Sequence, residues 1–244
     1  MRMLLPESRG VDDGDLVGLY DWPASPWLRA CMVIGLDGDA AGPDGLSGSL
    51  SSPADRQVLS AARARADAYL VGAATVRAER YSPVRAHPLH AAARVGAGQA
   101  VAPRLVVVSA TCRFPWGEAS FQGSDLSPLV LTTESSRAQD RAAASAAGCE
   151  VLVLGSVSVD LSEALSELHA RGLHRVTAEG GPELLRQLVR ADLVDEADVT
   201  LSPTLVGSPR RGHGGAAVLR RMHVRHVLEH DGFLFTRYVR AEGV

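Results

Sequence analysis

Thr177-Ala178-Glu179-Gly180-Gly181-Pro182-Glu183-Leu184-Leu185-Arg186-Gln187-Leu188 is the stretch around which the chain is organised. His174-Arg175-Val176 before it reads as a short strand, and a well-marked helix start follows. Two glycines free the backbone from Cβ sterics just where the chain leaves the strand. Pro182 suits the first helical turn, where its missing N–H costs nothing. Leu184, Leu185, Leu188 and Val189 then form an apolar face at helical spacing. Strand, glycine turn and helix start together bring free N–H groups and a positive dipole end to one point, which suits a phosphate. The same pattern also serves plain strand-to-helix turns whose glycines only allow tight packing.

Working outward, the alternation of strand and helix repeats upstream. Trp27 to Ile34 reads as a first strand running into the turn Gly35-Leu36-Asp37-Gly38. Gly42 to Ser51 is a loop rich in glycine and hydroxyl groups, of the kind that holds ligands at strand ends. Ser52, Pro53 and Asp55 signal a helix start, and that helix runs to about Ala66. Ala68 to Val71 is a strand, followed by Gly72 and a helical turn from Thr75 to Arg80. Residues 86–102 lack any period and read as a mobile loop. Leu105–Val108, Leu129–Leu131 and Glu150–Leu154 are strands of the buried type. Helices from Ser136 to Ala147 and from Leu161 to Arg171 separate and follow them, with Gly148 and Gly172 as stops and Asp160 as a cap. From Asp195 the texture changes: Val199, Leu201, Leu205 and Val206 suggest strand, 207–215 a loop, and Val224–Glu229 with Phe233–Tyr238 a hairpin around Asp231-Gly232. Residues 1–19 read as a loose arm and 20–244 as one domain. The expected fold is α/β, with a sheet parallel at its centre and antiparallel at one edge.

The chain has 244 residues, 46% hydrophobic and 22% charged, an ordinary balance for a soluble globular protein. A net charge of -3 calls for neither nucleic acid nor a membrane surface. No run is long and apolar enough to span a bilayer, and Met1 to Asp15 lacks the pattern of a signal peptide. Cys31, Cys112 and Cys149 are odd in number and far apart, which fits reduced thiols and a cytoplasmic location better than a disulfide frame or a metal site. Zinc deaminase, serine hydrolase and Walker signatures are absent from the sequence. What remains gathers at strand ends: an acid (Asp37), hydroxyls (Ser47, Ser49, Thr75), arginines (Arg63, Arg85) and the helix start at Gly181. In open α/β sheets ligands sit at the carboxyl ends of strands. A pocket of this kind suits an anionic cofactor and a polar substrate, and hydride transfer needs only positioning and a proton source there.

The ordered set Gly35-Leu36-Asp37-Gly38, the serine loop, Arg63-Ala64, Gly72-Ala73-Ala74-Thr75-Val76-Arg77-Ala78-Glu79 and Thr177-Ala178-Glu179-Gly180-Gly181-Pro182 resembles the reductase domain of the riboflavin-pathway bifunctional deaminase-reductases. It is most similar to their stand-alone actinobacterial relatives, and the likeness covers about Trp27 to Val239. The resemblance implies a dihydrofolate-reductase-like three-layer fold, with a mixed, mostly parallel sheet between helices and a C-terminal antiparallel hairpin. It implies NADPH as hydride donor, a homodimer, and reduction of the ribosyl group of 5-amino-6-(5-phosphoribosylamino)uracil. It places Val33, Thr75, Glu79, Ser109 and Gly180, Gly181, Pro182, Glu183, Leu184 and Leu185 at the cofactor. It places Ser47, Arg63, Arg85 and Glu179 at the substrate, the arginines on its phosphate. Asp37 and Glu179 are the candidate catalytic acids. The turn Ser109 to Arg113 contains no acid, which suits a 2′-phosphate and so NADPH.

Four positions depart from the family pattern and gather around the substrate. Gly35 stands for the usual serine, Ala30 for a lysine, Ser49 for a tryptophan, and Glu79-Arg80-Tyr81 for a segment with two aspartates. Two other functions fit the same residues: reduction of a pterin such as dihydrofolate, and NADPH binding without catalysis.

Overall fold

Eleven strands form a single sheet in the computed structural model, which describes residues 1–79, 81–208 and 218–241. In chain order the elements are β1 (Arg2–Leu5), β2 (Arg9–Gly10), α1 (Asp13–Leu19), β3 (Trp27–Ile34), α2 (Pro53–Arg63), β4 (Ala68–Gly72), α3 (Ala73–Glu79) and α4 (Ala91–Gly96). Then come β5 (Arg104–Val108), α5 (Ala119–Gln122), β6 (Leu129–Thr132), α6 (Ala138–Ala146), β7 (Glu150–Val153), α7 (Leu161–Ala170), β8 (Arg175–Ala178), α8 (Pro182–Arg190), β9 (Glu196–Leu201), β10 (Met222–His230) and β11 (Phe233–Arg240). The spatial order is β2-β1-β10-β11-β9-β3-β8-β4-β5-β6-β7. From β9 to β7 every pairing is parallel. From β9 outward to β2 every pairing is antiparallel. This is the mixed, mostly parallel arrangement expected from the alternating pattern.

Helices cover both faces because each buries one apolar stripe. α7 and α8 put Leu161, Leu165, Leu168, Leu184 and Leu188 on Leu28, Leu70, Val106, Leu131 and Val176. On the other face Val76, Phe121 and Ala144 cover Val71, Leu105, Val107 and Val130. Further along that face Leu16 and Val58 meet Met3, Leu228 and Phe235. Local signals set the helix starts: Ser52 accepts a hydrogen bond from the Asp55 N–H, and Asp160 from those of Ser162 and Glu163. Gly148 and Gly172 end their helices at φ of 84° and 77°.

Two expectations are corrected. Residues 1–19 are not a loose arm: β1 pairs with β10, Asp12 caps α1, and Met3, Val11 and Leu16 are buried. The signal is weak because β1 is short and its partner lies at the far end of the sequence. Residues 86–102 contain α4, held by a buried arginine in place of an apolar stripe. Arg94 donates to the Ala66 carbonyl at 2.5 Å and to that of Ala100 at 3.0 Å. Two expectations fall partly outside the described residues: the end of α3 at Arg80, and the loop 207–215 beyond Ser208.

Where β3, β9 and β11 meet, the interior is charged. The Glu196 carboxylate accepts from Arg29 Nε at 2.6 Å, Arg237 Nε at 2.9 Å and Trp27 Nε1 at 2.9 Å. Burial alone raises the pKa of Glu196, and the two guanidinium groups reverse this and hold it low. Asp198 goes the other way: burial first, then the Glu196 charge, pushes its carboxyl up, against the Arg29 and Arg237 charges. Breaking such a set by removing one partner leaves an uncompensated buried charge.

Candidate active site

All seven parallel strands end on one edge of the sheet, and the glycine corner forms where β4 and β8 end side by side. The Gly72 N–H donates to the Gly180 carbonyl at 2.8 Å. A Cβ on Gly72 would sit 3.3 Å from the Gly181 nitrogen, and one on Gly181 would sit 2.7 Å from Thr75 Oγ1. Gly180 has φ of 110°, which side chains rarely allow, and the Gly180–Gly181 peptide is cis. α8 starts at Gly181 without a side-chain cap. Its first-turn N–H groups therefore face the corner uncapped, beside the Thr75 hydroxyl. Leu184 is buried beneath, Leu185 half-buried, and Glu183 bonds within the helix to Arg186 and Gln187. Thr75, Gly180, Gly181 and Pro182 thus come together as the sequence suggested.

Beside this corner Glu179 receives four hydrogen bonds. Arg63 Nε donates to Oε1 at 2.5 Å and Arg63 Nη2 to Oε2. Tyr81 donates its hydroxyl to Oε2, and Thr177 donates to Oε1 at 3.1 Å. The Glu179 side chain is 4% exposed and that of Arg63 28%. The Arg63 guanidinium lies 4.9 Å over the Tyr69 ring. Burial works against the charge on Arg63, and the Glu179 carboxylate more than reverses that, so its pKa is raised. Burial and the same carboxylate push both tyrosines up, so they keep their hydroxyl protons. Tyr69 and Tyr81 were missed in the sequence. Tyr81 lies in the segment that departs from the family pattern, and nothing in its spacing marks it.

Asp37 closes the end of β3. Its Oδ2 accepts from the Val206 and Gly207 N–H groups at 2.8 and 2.7 Å. These bonds, that of Gly207 first, hold the carboxyl below its usual range. Its Oδ1 is buried with no partner among the described residues. Gly35 has a steric reason to be glycine: a Cβ there would lie 2.9 Å from Asp37 Oδ1 and 3.0 Å from the Thr204 carbonyl. The serine loop is tied to α3, since the Ser47 N–H donates to Glu79 Oε1 at 2.8 Å. Ser49 is spent inside the loop, donating to the Leu46 carbonyl at 3.2 Å.

The remaining candidates have other local partners. Ser109 follows β5, and its Oγ accepts from the Cys112 N–H at 3.1 Å, bracing the turn. Arg85 donates to the Gly123 carbonyl at 3.0 Å and touches neither Arg63 nor Glu179 in that position. Val33 is half-buried near the end of β3, opposite Thr200 of β9. Among the described residues no group of His, Cys, Asp or Glu could hold a metal. No helix among them is long and apolar enough to cross a membrane.

Residues 26–231 match the RibD C-terminal domain. The chain is 32% identical over 183 residues to the 2,5-diamino-6-ribosylamino-4(3H)-pyrimidinone 5′-phosphate reductase of Methanothermobacter thermautotrophicus, covering 75% of this chain and 80% of that protein. It is 28% identical over 183 residues to the Archaeoglobus fulgidus protein of the same name, covering 75% and 82%. Among solved structures, a pyrimidine reductase-like protein from Corynebacterium diphtheriae superposes with a TM-score of 0.81 at 29% identity, covering 89% of this chain and 93% of the other.

Proposed function

Because the chain belongs to the RibD C-terminal domain family, we propose that it is an NADPH-dependent reductase acting on a ribosylaminopyrimidine 5′-phosphate. Oxidoreductase chemistry of the riboflavin-pathway type goes with the family, and with it a nicotinamide cofactor. The observation that carries the reading is the Arg63–Glu179 pair standing beside an uncapped helix start. One feature offers charge and oriented acceptors to a sugar phosphate, the other a cradle for a dinucleotide phosphate.

The residues fit the cofactor by shape. Glycines at 72, 180 and 181 leave room that a Cβ would fill, and Thr75 adds a hydroxyl. The turn after β5 carries Arg113 and no acid, which favours the 2′-phosphorylated form. Val33 and Glu79 stand at the ends of β3 and α3, where the nicotinamide half would reach. Bound NADPH supplies the hydride.

In the overall reaction the ribosyl C1′–O bond opens, hydride adds to C1′, and the released oxygen takes a proton. Arg63 and Arg85 would receive the substrate phosphate, Arg85 turning away from the Gly123 carbonyl to do so. Ser47 would bond the substrate from the loop side. Neither candidate acid is set up to hold the proton. Asp37 is kept ionised by two N–H donors, and Glu179 already accepts four bonds. Glu179 therefore holds the Arg63 fork towards the sugar phosphate, Asp37 Oδ1 accepts from a substrate N–H, and water delivers the proton.

The protein would act as a cytoplasmic homodimer. On the β9–β11–β10 side the face away from α1 and α2 has no helix over it among the described residues. It presents Val199, Leu201, Leu234 and Val227, all half-buried. A second copy covering that face would finish their burial. The test of function is NADPH consumption with the ribosylaminopyrimidine offered with and without its phosphate, beside dihydrofolate.

A further inference from the structure

At the amino ends of β4 and β8, the opposite end of the sheet from the glycine corner, lies a second cleft of about 320 Å³. Trp22, Arg65, His90 and Arg175 line it, with Val17 and Ala93 as its apolar wall. Arg65 ends the segment after α2, and Arg175 opens β8. Glu179 lies four positions along the chain from Arg175, about 13 Å at 3.3 Å per residue.

The cations here outnumber the nearby carboxylates. The Arg65 and Arg175 guanidinium groups make no hydrogen bond or ion pair among the described residues. Arg94 lies directly behind them. It is 2% exposed, and its Nη2 is buried without an acceptor. Burial lowers the Arg94 pKa, and the Arg175 and Arg65 charges add to that, against Tyr69 and Asp67. Both nearby carboxylates are already engaged. Asp21, on the rim, pairs with Arg237 at 3.0 Å. Asp67 accepts from the His174 and Arg175 N–H groups and from Gln99. Trp22 stacks under the Arg29 guanidinium at 4.1 Å, and its Nε1 is buried without an acceptor. Three guanidinium groups set against the single unpaired carboxylate of Asp67, next to an indole with a spare donor, leave an excess of positive charge that a bound anion would relieve.

We propose that this cleft binds a phosphate monoester carried on a planar ring, the class to which mononucleotides belong. Arg65 and Arg175 take the phosphate, because guanidinium forks match its oxygens. Trp22 and the apolar wall take the ring, and the volume is at the lower end for small-ligand sites. This second site does not depend on what the first one does.

Calorimetric titration of the full chain with uridine 5′-monophosphate, inorganic phosphate and uridine tests the proposal. The nucleotide should bind, phosphate more weakly, and uridine not measurably. In Arg65→Gln/Arg175→Gln the affinity should fall at least about tenfold, while Arg63→Gln, altered at the first site, should retain this binding. Arg65 is exposed, so Arg65→Gln alone keeps the test open if the double variant folds poorly. It should itself weaken nucleotide binding several-fold, and raised salt should do the same in the wild type. No binding at millimolar nucleotide, or binding untouched by the Arg65 and Arg175 substitutions, would overturn the proposal.

Discussion

Arg63 and Glu179, 116 residues apart in sequence, meet side by side at the edge of the sheet, with Arg63 Nε 2.5 Å from Glu179 Oε1. The pair is fixed from below by the Tyr69 ring and from one side by the Tyr81 hydroxyl. Arg63→Lys keeps the charge and loses the fork. Steady-state kinetics should show kcat/KM down about 10²-fold, mostly through KM, since the lost contact serves binding. A fall confined to kcat would assign the pair to the chemical step instead. Arg63→Gln should also cost about 1–3 kcal/mol of stability, because it strips a nearly buried carboxylate of its countercharge.

The glycine corner makes a separate prediction. In Gly181→Ala the new Cβ would meet Thr75 Oγ1 at 2.7 Å. Overpacking of this kind costs about 1–3 kcal/mol, and NADPH affinity should fall about tenfold if α8 shifts from the phosphate. Adding Thr75→Ala removes the clashing atom and should restore the thermal midpoint. A double variant no more stable than Gly181→Ala would show that the strain lies elsewhere.

The parts of this fold that were legible in the sequence are the parts that signal locally. Gly180-Gly181-Pro182 marks α8, while Ser52 and Asp160 cap their helices through neighbours three residues away or fewer. β9 shows the limit. Val199 and Leu201 are what suggest a strand there, yet Glu196, Asp198 and Thr200 are the buried set. The reason is Arg29, 167 residues away, together with Arg237, neither of which any periodicity can reveal. The candidate site divides the same way. The glycine corner could be read from one short stretch, while Tyr69 and Tyr81 became visible only when folding brought them to Arg63.

Buried His226 should make stability depend on pH. Burial lowers its pKa to about 4 from 6.5. The folded state then holds imidazole neutral while the unfolded state takes up a proton below pH 6.5. Stability is therefore fully present above pH 6.5 and is lost as pH falls towards 4, by about 3 kcal/mol. Asp198, pushed up by burial, contributes with the opposite sign, so the informative quantity is a difference between proteins. His226→Phe keeps a ring against Tyr20, now 5.0 Å away, and removes the titration. Denaturant melts at pH 5 and 7 should show the gap between variant and wild type shifting in the variant's favour at pH 5. An unchanged gap would mean that His226 titrates normally.

The open sheet face predicts the assembly. Val199→Arg puts a charge among half-buried apolar side chains on β9 and β11. Sedimentation velocity should find the wild type dimeric and the variant monomeric, with the melting temperature little changed in dilute solution. A wild type that sediments as a monomer at micromolar concentration would remove the dimer from the account.

The central claim is tested most directly by following NADPH oxidation with 2,5-diamino-6-ribosylamino-4(3H)-pyrimidinone 5′-phosphate and its 5-aminouracil counterpart, and identifying the product by mass. The account predicts turnover of at least one of them to the ribityl compound, a gain of two hydrogens, with a large loss when the phosphate is removed and none of this activity on dihydrofolate. Tight NADPH binding with no turnover of either pyrimidine, or turnover of dihydrofolate alone, would contradict it.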